Sequence, residues 1–318
     1  MNPIPANRSN TLDEFDCSDI AYFGRSSFEK RCFSAFSALK NCNFRHQIFL
    51  KSAEETNEAK SLRKNFEISS ELTKSVETND PLQTQRVITE IVSELAELDD
   101  QISVLLDITC FRREELLILV RSVVNYFNRT RLEKTYFVYS VASSMGTWLS
   151  NSVREVRPVI GYPGDVSITK KTHLILLAGV EYHRALAVIQ AYEPYSISLG
   201  TVPEDQAVNS EIFKRNEELR VWLKRNFEQV LQTFHFPATD PMALKCQLRK
   251  FISEFSDYNV VIAPLNTKLS TLAAGALAVS KPEIQLCYAE VNVYNAGDYS
   301  TPSNDIVLVP AKKLLTDD

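Results

Sequence analysis

Apolar and polar positions alternate along the chain in blocks that predict strands and helices in turn. Short apolar runs at 19–23, 46–50, 103–107 and 172–178 have the length of buried strands. Each is followed by a polar turn and by a segment whose apolar residues recur at helical spacing. Such alternation is typical of a mostly parallel sheet with helices on both faces. The predicted fold class is therefore α/β and Rossmann-like.

One strand–turn–helix pattern occurs twice. In one copy the apolar run 259–264 leads into a polar turn at 266–268 and then into an Ala/Leu-rich helix. In the other copy the run 103–107 leads into a turn at 109–113 and a second apolar helix. The polar turn residues are Asn266, Thr267 and Lys268 in one copy, and Thr109, Arg112 and Arg113 in the other.

The order of elements around these copies indicates an internal duplication. Asp80 and Asp240 are each followed by a proline, a combination of capping side chain and first-turn proline that opens a helix. In both places that helix precedes a copy of the strand–turn–helix pattern. We therefore predict a loose arm at 1–17, a first Rossmann-like half at 18–150 and a second Rossmann-like half at 151–318.

The turns at the carboxyl ends of the predicted strands form the candidate ligand site. In a parallel sheet these turns emerge at one edge, where open α/β sheets bind ligands. If both halves direct this edge to a shared cleft, the cations and hydroxyls of the turns would bind an anion there. The alternative for each of these residues is that it caps a helix on a solvated surface. At Lys268, a cation at a helix N-terminus opposes the helix dipole unless an anion offsets it. Besides the six residues of the paired turns, the candidate ligand-binding residues are Ser26, Arg31, Glu181 and Arg184.

Composition argues against several classes of function. A net charge of −5 and a pI near 5.6 disfavour an extended nucleic-acid surface. The sequence contains no glycine-rich dinucleotide or P-loop fingerprint, and its six cysteines show no C-x-x-C pair and no metal-ligand spacing. We therefore predict no cofactor, no metal and reduced thiols. No apolar run has the roughly 18 residues needed to span a bilayer, so the expected location is the cytoplasm, without a membrane partner.

Two carboxylates at strand ends offer a route to catalysis. Asp107 and Glu181 could act as a base or hold a ribose hydroxyl, although helix capping explains each of them as well. Of the four histidines only His183 falls in a candidate turn, and no Ser-His-Asp order is recognised. Tyr288, Tyr294 and Tyr299 could stack on a nucleobase or pack against the fold.

The pattern at 260–278 resembles the ligand-binding turn of the CRISPR-associated Rossmann fold domains, known as CARF. The related SAVED domains, which sense cyclic nucleotides in antiphage signalling, are similar to two such units in one chain. In that family a Gly-Gly-Thr-Lys or similar turn contacts the phosphates of a cyclic oligonucleotide, which implies this role for Asn266, Thr267 and Lys268. In this chain Leu265 and Asn266 stand where the family has glycines.

Three functions are consistent with these residues. The preferred hypothesis is a sensor or accessory subunit that binds a nucleotide-type anionic ligand in prokaryotic antiphage defence and acts through a protein effector partner or a homo-oligomer. The first alternative is a nucleotide-processing enzyme, such as a phosphodiesterase or an N-glycosidase. The second is a structural subunit whose Rossmann crevice is vestigial.

Overall fold

The computed structural model describes residues 18–207 and 209–316. The strands are β1 (Ile20–Arg25), β2 (Phe44–Ser52), β3 (Thr73–Val76), β4 (Ser103–Asp107), β5 (Thr135–Met145), β6 (Ser150–Pro163), β7 (Thr172–Leu177), β8 (Ser196–Thr201), β9 (Val230–His235), β10 (Asn259–Pro264), β11 (Gln285–Tyr294) and β12 (Ser300–Pro310). The helices are α1 (Ser34–Ala38), α2 (Asn57–Asn65), α3 (Pro81–Ala96), α4 (Arg113–Tyr126), α5 (Arg129–Glu133), α6 (Tyr182–Tyr192), α7 (Ser210–Asn226), α8 (Pro241–Ile252), α9 (Lys268–Ser280) and α10 (Ala311–Leu315).

The described residues divide into two compact units whose sheets have the same order and directions of strands. The first unit comprises residues 18–146 and 296–316, and the second unit comprises residues 147–295. The sheet of the first unit has the order β12-β5-β4-β1-β2-β3, and that of the second has the order β6-β11-β10-β7-β8-β9. In each sheet five strands are parallel, and the strand at one edge is antiparallel to its neighbour. The prediction of a duplicated, Rossmann-like α/β fold is confirmed.

The edge strand of the first sheet comes from a segment that is separated in sequence from the rest of its unit. After β5 the chain leaves the first unit at Gly146, builds the whole second unit, and re-enters the first unit at Ala296. There β12 pairs with β5, with Ile306 opposite Ser140. The predicted division differs from this at the C-terminus, because residues 296–316 complete the first sheet instead of belonging to the second half. The predicted arm at 1–17 lies outside the described residues.

Local sequence signals explain several element boundaries. Asp80 accepts a hydrogen bond from Gln83 N at 2.9 Å and caps α3, and Asp240 accepts one from Ala243 N at 3.0 Å and caps α8. Both helices begin with proline, as predicted. The apolar residues of 28–39 recur at helical spacing and predict one helix there, but α1 covers only five of these residues. The strands β3 and β6 were not predicted.

The central strands of both sheets are buried on both faces. β1, β4, β7 and β10 contain no exposed or half-buried residue apart from Thr172 at the start of β7. In the first unit α3 packs against α4, and in the second α8 packs against α9. Residues 269–278 of α9 are all buried, which is why this helix is rich in alanine and leucine.

The cysteines and the membrane prediction can be compared with the structure. Four cysteines are free thiols, whereas Cys42 is disulfide-bonded, so the expectation of reduced thiols is wrong at that position. No helix in the described part of the chain is both long and apolar enough to cross a membrane.

Candidate functional site

Each sheet has a point at which the strand order reverses, and this is where open α/β sheets form a ligand crevice. In the first unit the crevice lies at the carboxyl ends of β1 and β4, and in the second at the carboxyl ends of β7 and β10. The predicted site residues follow these four strands along the chain. The two crevices can therefore be compared residue by residue.

The first unit fills its crevice with a buried ion pair. Arg25, at the end of β1, donates from Nε to Glu115 Oε2 at 2.6 Å and from Nη2 to Glu115 Oε1 at 3.0 Å. The side chains of Arg25 and Glu115 are only 5% and 4% exposed. Arg112 N donates to the same Oε2 at 2.7 Å, so a carboxylate already occupies the N-terminus of α4. Although burial opposes ionisation, the positive charges of Arg25 and Arg112 hold the pKa of Glu115 below its usual value.

Arg31 is also used inside the first unit. Its Nε donates to Glu29 Oε1 at 2.6 Å and to Ser300 Oγ at 3.0 Å, and its Nη1 donates to the carbonyl oxygen of Ser140 at 2.8 Å. The guanidinium lies 5.6 Å from the ring centroid of Tyr139. Arg31 is buried, and this set of contacts makes it part of the framework of the sheet edge.

The carboxylate at the end of β4 is equally enclosed. Asp107 accepts hydrogen bonds from Tyr22 OH at 2.5 Å, from Thr109 Oγ1 at 2.5 Å and from Thr109 N at 3.0 Å. Ser140 N in turn donates to Thr109 Oγ1 at 2.9 Å. Burial raises the pKa of Asp107, and the hydrogen bonds from Thr109 and Tyr22 partly offset that rise. Asp107 and Thr109 therefore hold β4 to β1 and β5.

The turn at 266–268 of the second unit, in contrast to the buried residues of the first unit, lies partly at the surface. Asn266, Thr267 and Lys268 are half-buried, so part of each side chain reaches the surface. Thr267 caps α9 by accepting from Ser270 N at 3.1 Å, and its hydroxyl donates to the carbonyl oxygen of Ala238 at 2.8 Å. Asn266 Oδ1 accepts from Thr267 N at 2.9 Å. The turn is thus held rigidly from within, and Lys268 is its first helical residue.

A second turn in the same unit lies directly against this one. Asn266 Nδ2 donates to the carbonyl oxygen of Ala178, and Leu265 N donates to that of Leu177 at 3.0 Å. A Cβ atom on Gly179 would lie 2.2 Å from the carbonyl oxygen of Leu265, so only glycine allows this approach. Buried Asn216, on α7, donates to the carbonyl oxygens of Ala178 and Gly179 at 2.9 and 2.7 Å.

Beyond Gly179 the chain forms a buried polar cluster. Glu181 accepts a hydrogen bond from Ser150 Oγ at the start of β6, and its other oxygen lies 3.6 Å from Arg184 Nη1. Arg184 Nη2 lies 3.5 Å from Tyr294 OH, and the guanidinium is 5.9 Å from the Tyr294 ring centroid. His183 Nε2 lies 3.3 Å from Ser150 Oγ. Burial lowers the pKa of His183 and Arg184 adds to this, whereas Glu181 opposes it.

This cluster differs from a serine-hydrolase triad. In such a triad histidine lies between the serine and the acid, and the acid orients the ring. Here Glu181 contacts the hydroxyl of Ser150 directly. The cluster also repeats the first-unit set of Ser300, Glu29 and Arg31 at the start of the other edge strand. Its repetition in both units favours a structural role.

The electrostatics of the two helix N-termini are opposite. The first turn of α4 contains the buried carboxylates Glu114 and Glu115. The first turn of α9 contains no acidic residue and begins with Lys268. Because the N-terminus of a helix carries partial positive charge, Glu115 offsets that charge at α4, whereas the first turn of α9 adds the positive charge of Lys268 to it. Among the described residues, no group of three or more His, Cys, Asp and Glu side chains could hold a metal ion.

Within each unit the structure places predicted residues at the ends of neighbouring strands. Asn266 and Glu181 follow neighbouring strands of the second unit, and Ser26, Thr109 and Arg112 follow neighbouring strands of the first. Residues that sequence reasoning missed include those that neutralise or hold the predicted ones. They are Glu29, Glu115, Ser150, Asn216 and Ser300. Apart from Glu29, which lies two residues before Arg31, their partners are distant in sequence, so local patterns carry no signal for these contacts.

Comparisons with known proteins give no family. No family model matches the chain, and no curated protein matches its sequence. Among solved structures, the chain is similar to a protein from Burkholderia multivorans described as a short-chain alcohol dehydrogenase, with 11% identity and a TM-score of 0.20. That match covers 85% of this chain and 94% of the other. A TM-score at this level carries no argument, so the fold assignment rests on the strand order.

Proposed function

We propose that the second unit binds a nucleotide-type anionic ligand at the N-terminus of α9 and that the protein acts as a ligand sensor or accessory subunit. The observation that carries the proposal is the difference between the two switch points. At α9 the first turn has no carboxylate and begins with half-buried Lys268, whereas at α4 the equivalent place is filled by Glu115. Backbone N–H groups at the start of a helix carry partial positive charge and can bind an anion, and the side chain of Lys268 adds a positive charge at the same end.

The contacts of the turn assign different roles to its three residues. Asn266 and Thr267 use their side chains on neighbouring backbone groups, so we assign them to positioning the turn. Lys268 would supply the charge that contacts a phosphate, together with backbone N–H groups at the start of α9. In the family, glycines in the turn let a phosphate come close to the backbone. In this chain the hydrogen bonds of the Asn266 side chain would instead keep the backbone N–H groups of the turn oriented toward the phosphate.

The biological setting follows from the resemblance to CARF and SAVED domains. We propose a cyclic oligonucleotide as the first ligand class to test, and prokaryotic antiphage defence as the setting. A sensor of this kind would act through a protein partner or through self-assembly. A cleft shared by both units stays a prediction, and the experiment below distinguishes it from a site confined to the second unit.

The test is a calorimetric titration of the full chain with cyclic oligonucleotides, mononucleotides and NAD. If Lys268 makes a charge-assisted contact worth about 1.5–3 kcal/mol, Lys268→Ala weakens binding by roughly 10- to 150-fold. Arg113→Ala is the matched control, because Arg113 is the first residue of α4 as Lys268 is of α9.

Three outcomes separate the hypotheses. Loss of binding in Lys268→Ala alone supports a site in the second unit, and equal losses in both variants support a shared cleft. Tight binding by the wild type that is unchanged in Lys268→Ala contradicts the proposed site. Absence of binding across the ligand panel contradicts a nucleotide sensor of the classes tested.

A further inference from the structure

The carboxylate of Glu115 in the first unit occupies the place that a ligand anion would take in the second. It accepts hydrogen bonds from Arg25 Nε at 2.6 Å, from Arg25 Nη2 at 3.0 Å and from Arg112 N at 2.7 Å. These donors are two N–H groups along one edge of a guanidinium and one backbone N–H at a helix N-terminus. Together they form a set of donors suited to binding a carboxylate or a phosphate.

A helix cap alone does not account for this arrangement. A capping box requires only the contact between the Glu115 side chain and Arg112 N. Arg25 lies on β1, 90 residues earlier, and buries its charge at the switch point of the sheet. In α9 the third helical residue, which corresponds to Glu115, is Ser270. The internal anion is therefore a feature of the first unit and is not required by the duplicated fold.

A second observation concerns the residue that follows Arg25. The hydroxyl of Ser26 is buried and has no hydrogen-bond partner within the described part of the chain, and Ser26 as a whole is only 2% exposed. The same Arg25 guanidinium donates from Nη1 to the carbonyl oxygen of Ser26 at 3.2 Å. A buried hydroxyl without a partner is costly in a protein interior and calls for an explanation at the position where it occurs.

We propose that the switch point of the first unit is an anion-binding site that the chain fills with its own Glu115 carboxylate. The site binds a small carboxylate or phosphate when that side chain is removed. In the wild type the first unit therefore binds no ligand anion at this switch point, which leaves the α9 site of the second unit for the ligand. The α9 site rests on the proposed function. The occupied site does not, because its contacts lie within the first unit.

Chemical rescue in the full-length Glu115→Ala variant tests this proposal. Thermal unfolding is followed by circular dichroism in sodium formate, sodium phosphate or sodium chloride at matched ionic strength and pH 7. We expect the variant to be less stable than wild type in chloride. In formate its Tm should rise by roughly 2–4 °C once the concentration is about five times the dissociation constant.

Two controls define the site. Glu115→Gln fills the same space with a neutral amide, so its Tm in formate should match its Tm in chloride, as for the wild type. The double variant Arg25→Met/Glu115→Ala lacks the guanidinium and should lose the response. If Glu115→Ala is too unstable to purify in chloride, refolding yields in formate and in chloride give the same comparison.

The proposal is overturned if formate and phosphate stabilise Glu115→Ala no more than the wild type. It is also overturned if the double variant responds as strongly as Glu115→Ala, because the effect would then not depend on Arg25. A response to both formate and phosphate in Glu115→Ala alone supports the proposal.

Discussion

Replacing Gly179 with alanine tests whether the two turns of the second unit form one rigid site. The new Cβ would lie 2.2 Å from the carbonyl oxygen of Leu265 and 3.1 Å from its carbonyl carbon. That carbonyl cannot move freely, because Leu265 N is hydrogen-bonded to Leu177 and Asn266 is bonded to Ala178. Overpacking against fixed backbone lowers the free energy of unfolding by about 1–3 kcal/mol, and we expect a value at the upper end of this range. The Tm should fall by roughly 6–12 °C.

Gly297→Ala is the matched control, since a Cβ there meets no atom within 4 Å. Both substitutions reduce the freedom of the unfolded chain by a similar amount, so their difference isolates the steric effect. Gly297 lies in the first unit and Gly179 in the second, so urea unfolding is followed by circular dichroism, which reports on both units. The fluorescence of Trp148 and Trp222, both in the second unit, shows in addition whether that unit is the one affected. Equal stability of the Gly179→Ala and Gly297→Ala proteins would refute the close packing of the two turns.

Two further predictions concern buried polar groups. Ser300→Ala removes a hydroxyl that donates a hydrogen bond to Glu29 Oε1 at 2.7 Å. We expect urea denaturation to show that the free energy of unfolding falls by about 1–3 kcal/mol. The control Thr301→Ala, at an exposed position, should change it little. Burial lowers the pKa of His173 to about 4 from the usual 6.5. Between these values the unfolded chain binds a proton that the folded chain does not, so stability falls as pH falls, by up to about 1.4 kcal/mol per pH unit. In His173→Gln this contribution to the change of the unfolding free energy with pH should disappear. If the variant shows the same dependence on pH as the wild type, His173 is not a neutral buried side chain.

The fold was largely predictable because its central strands are short, apolar and buried on both faces. The run 103–107 is strand β4 with the predicted bounds, and the caps at Asp80 and Asp240 begin helices as predicted. Strand β6 was missed because many of its residues are exposed, so it lacks the apolar run of a buried strand. The return of β12 to the first sheet was missed because local patterns do not specify which of two similar sheets an edge strand joins.

The candidate site was only partly predictable, because charge neutralisation depends on contacts between distant residues. The sequence places Arg25 and Arg31 after a strand, which suggested an open anion cleft. The structure pairs Arg25 with Glu115, which is 90 residues away, and Arg31 with Glu29 and with Ser300, which is 269 residues away. Local spacing cannot reveal pairs of this kind.

The comparison of the two units separates what the fold requires from what a ligand would require. Both units retain a serine at the start of the edge strand that donates to a buried glutamate, which in turn lies beside a buried arginine. These clusters fix the starts of the edge strands β6 and β12, where the chain passes from one unit to the other, so both units need them. The switch points, in contrast, differ in charge: Glu115 fills one and Lys268 borders the other. Because the same order of strands accommodates both arrangements, the fold does not dictate the charge at the switch point, and this difference in charge between the two units is the feature on which the proposed anion site at α9 depends.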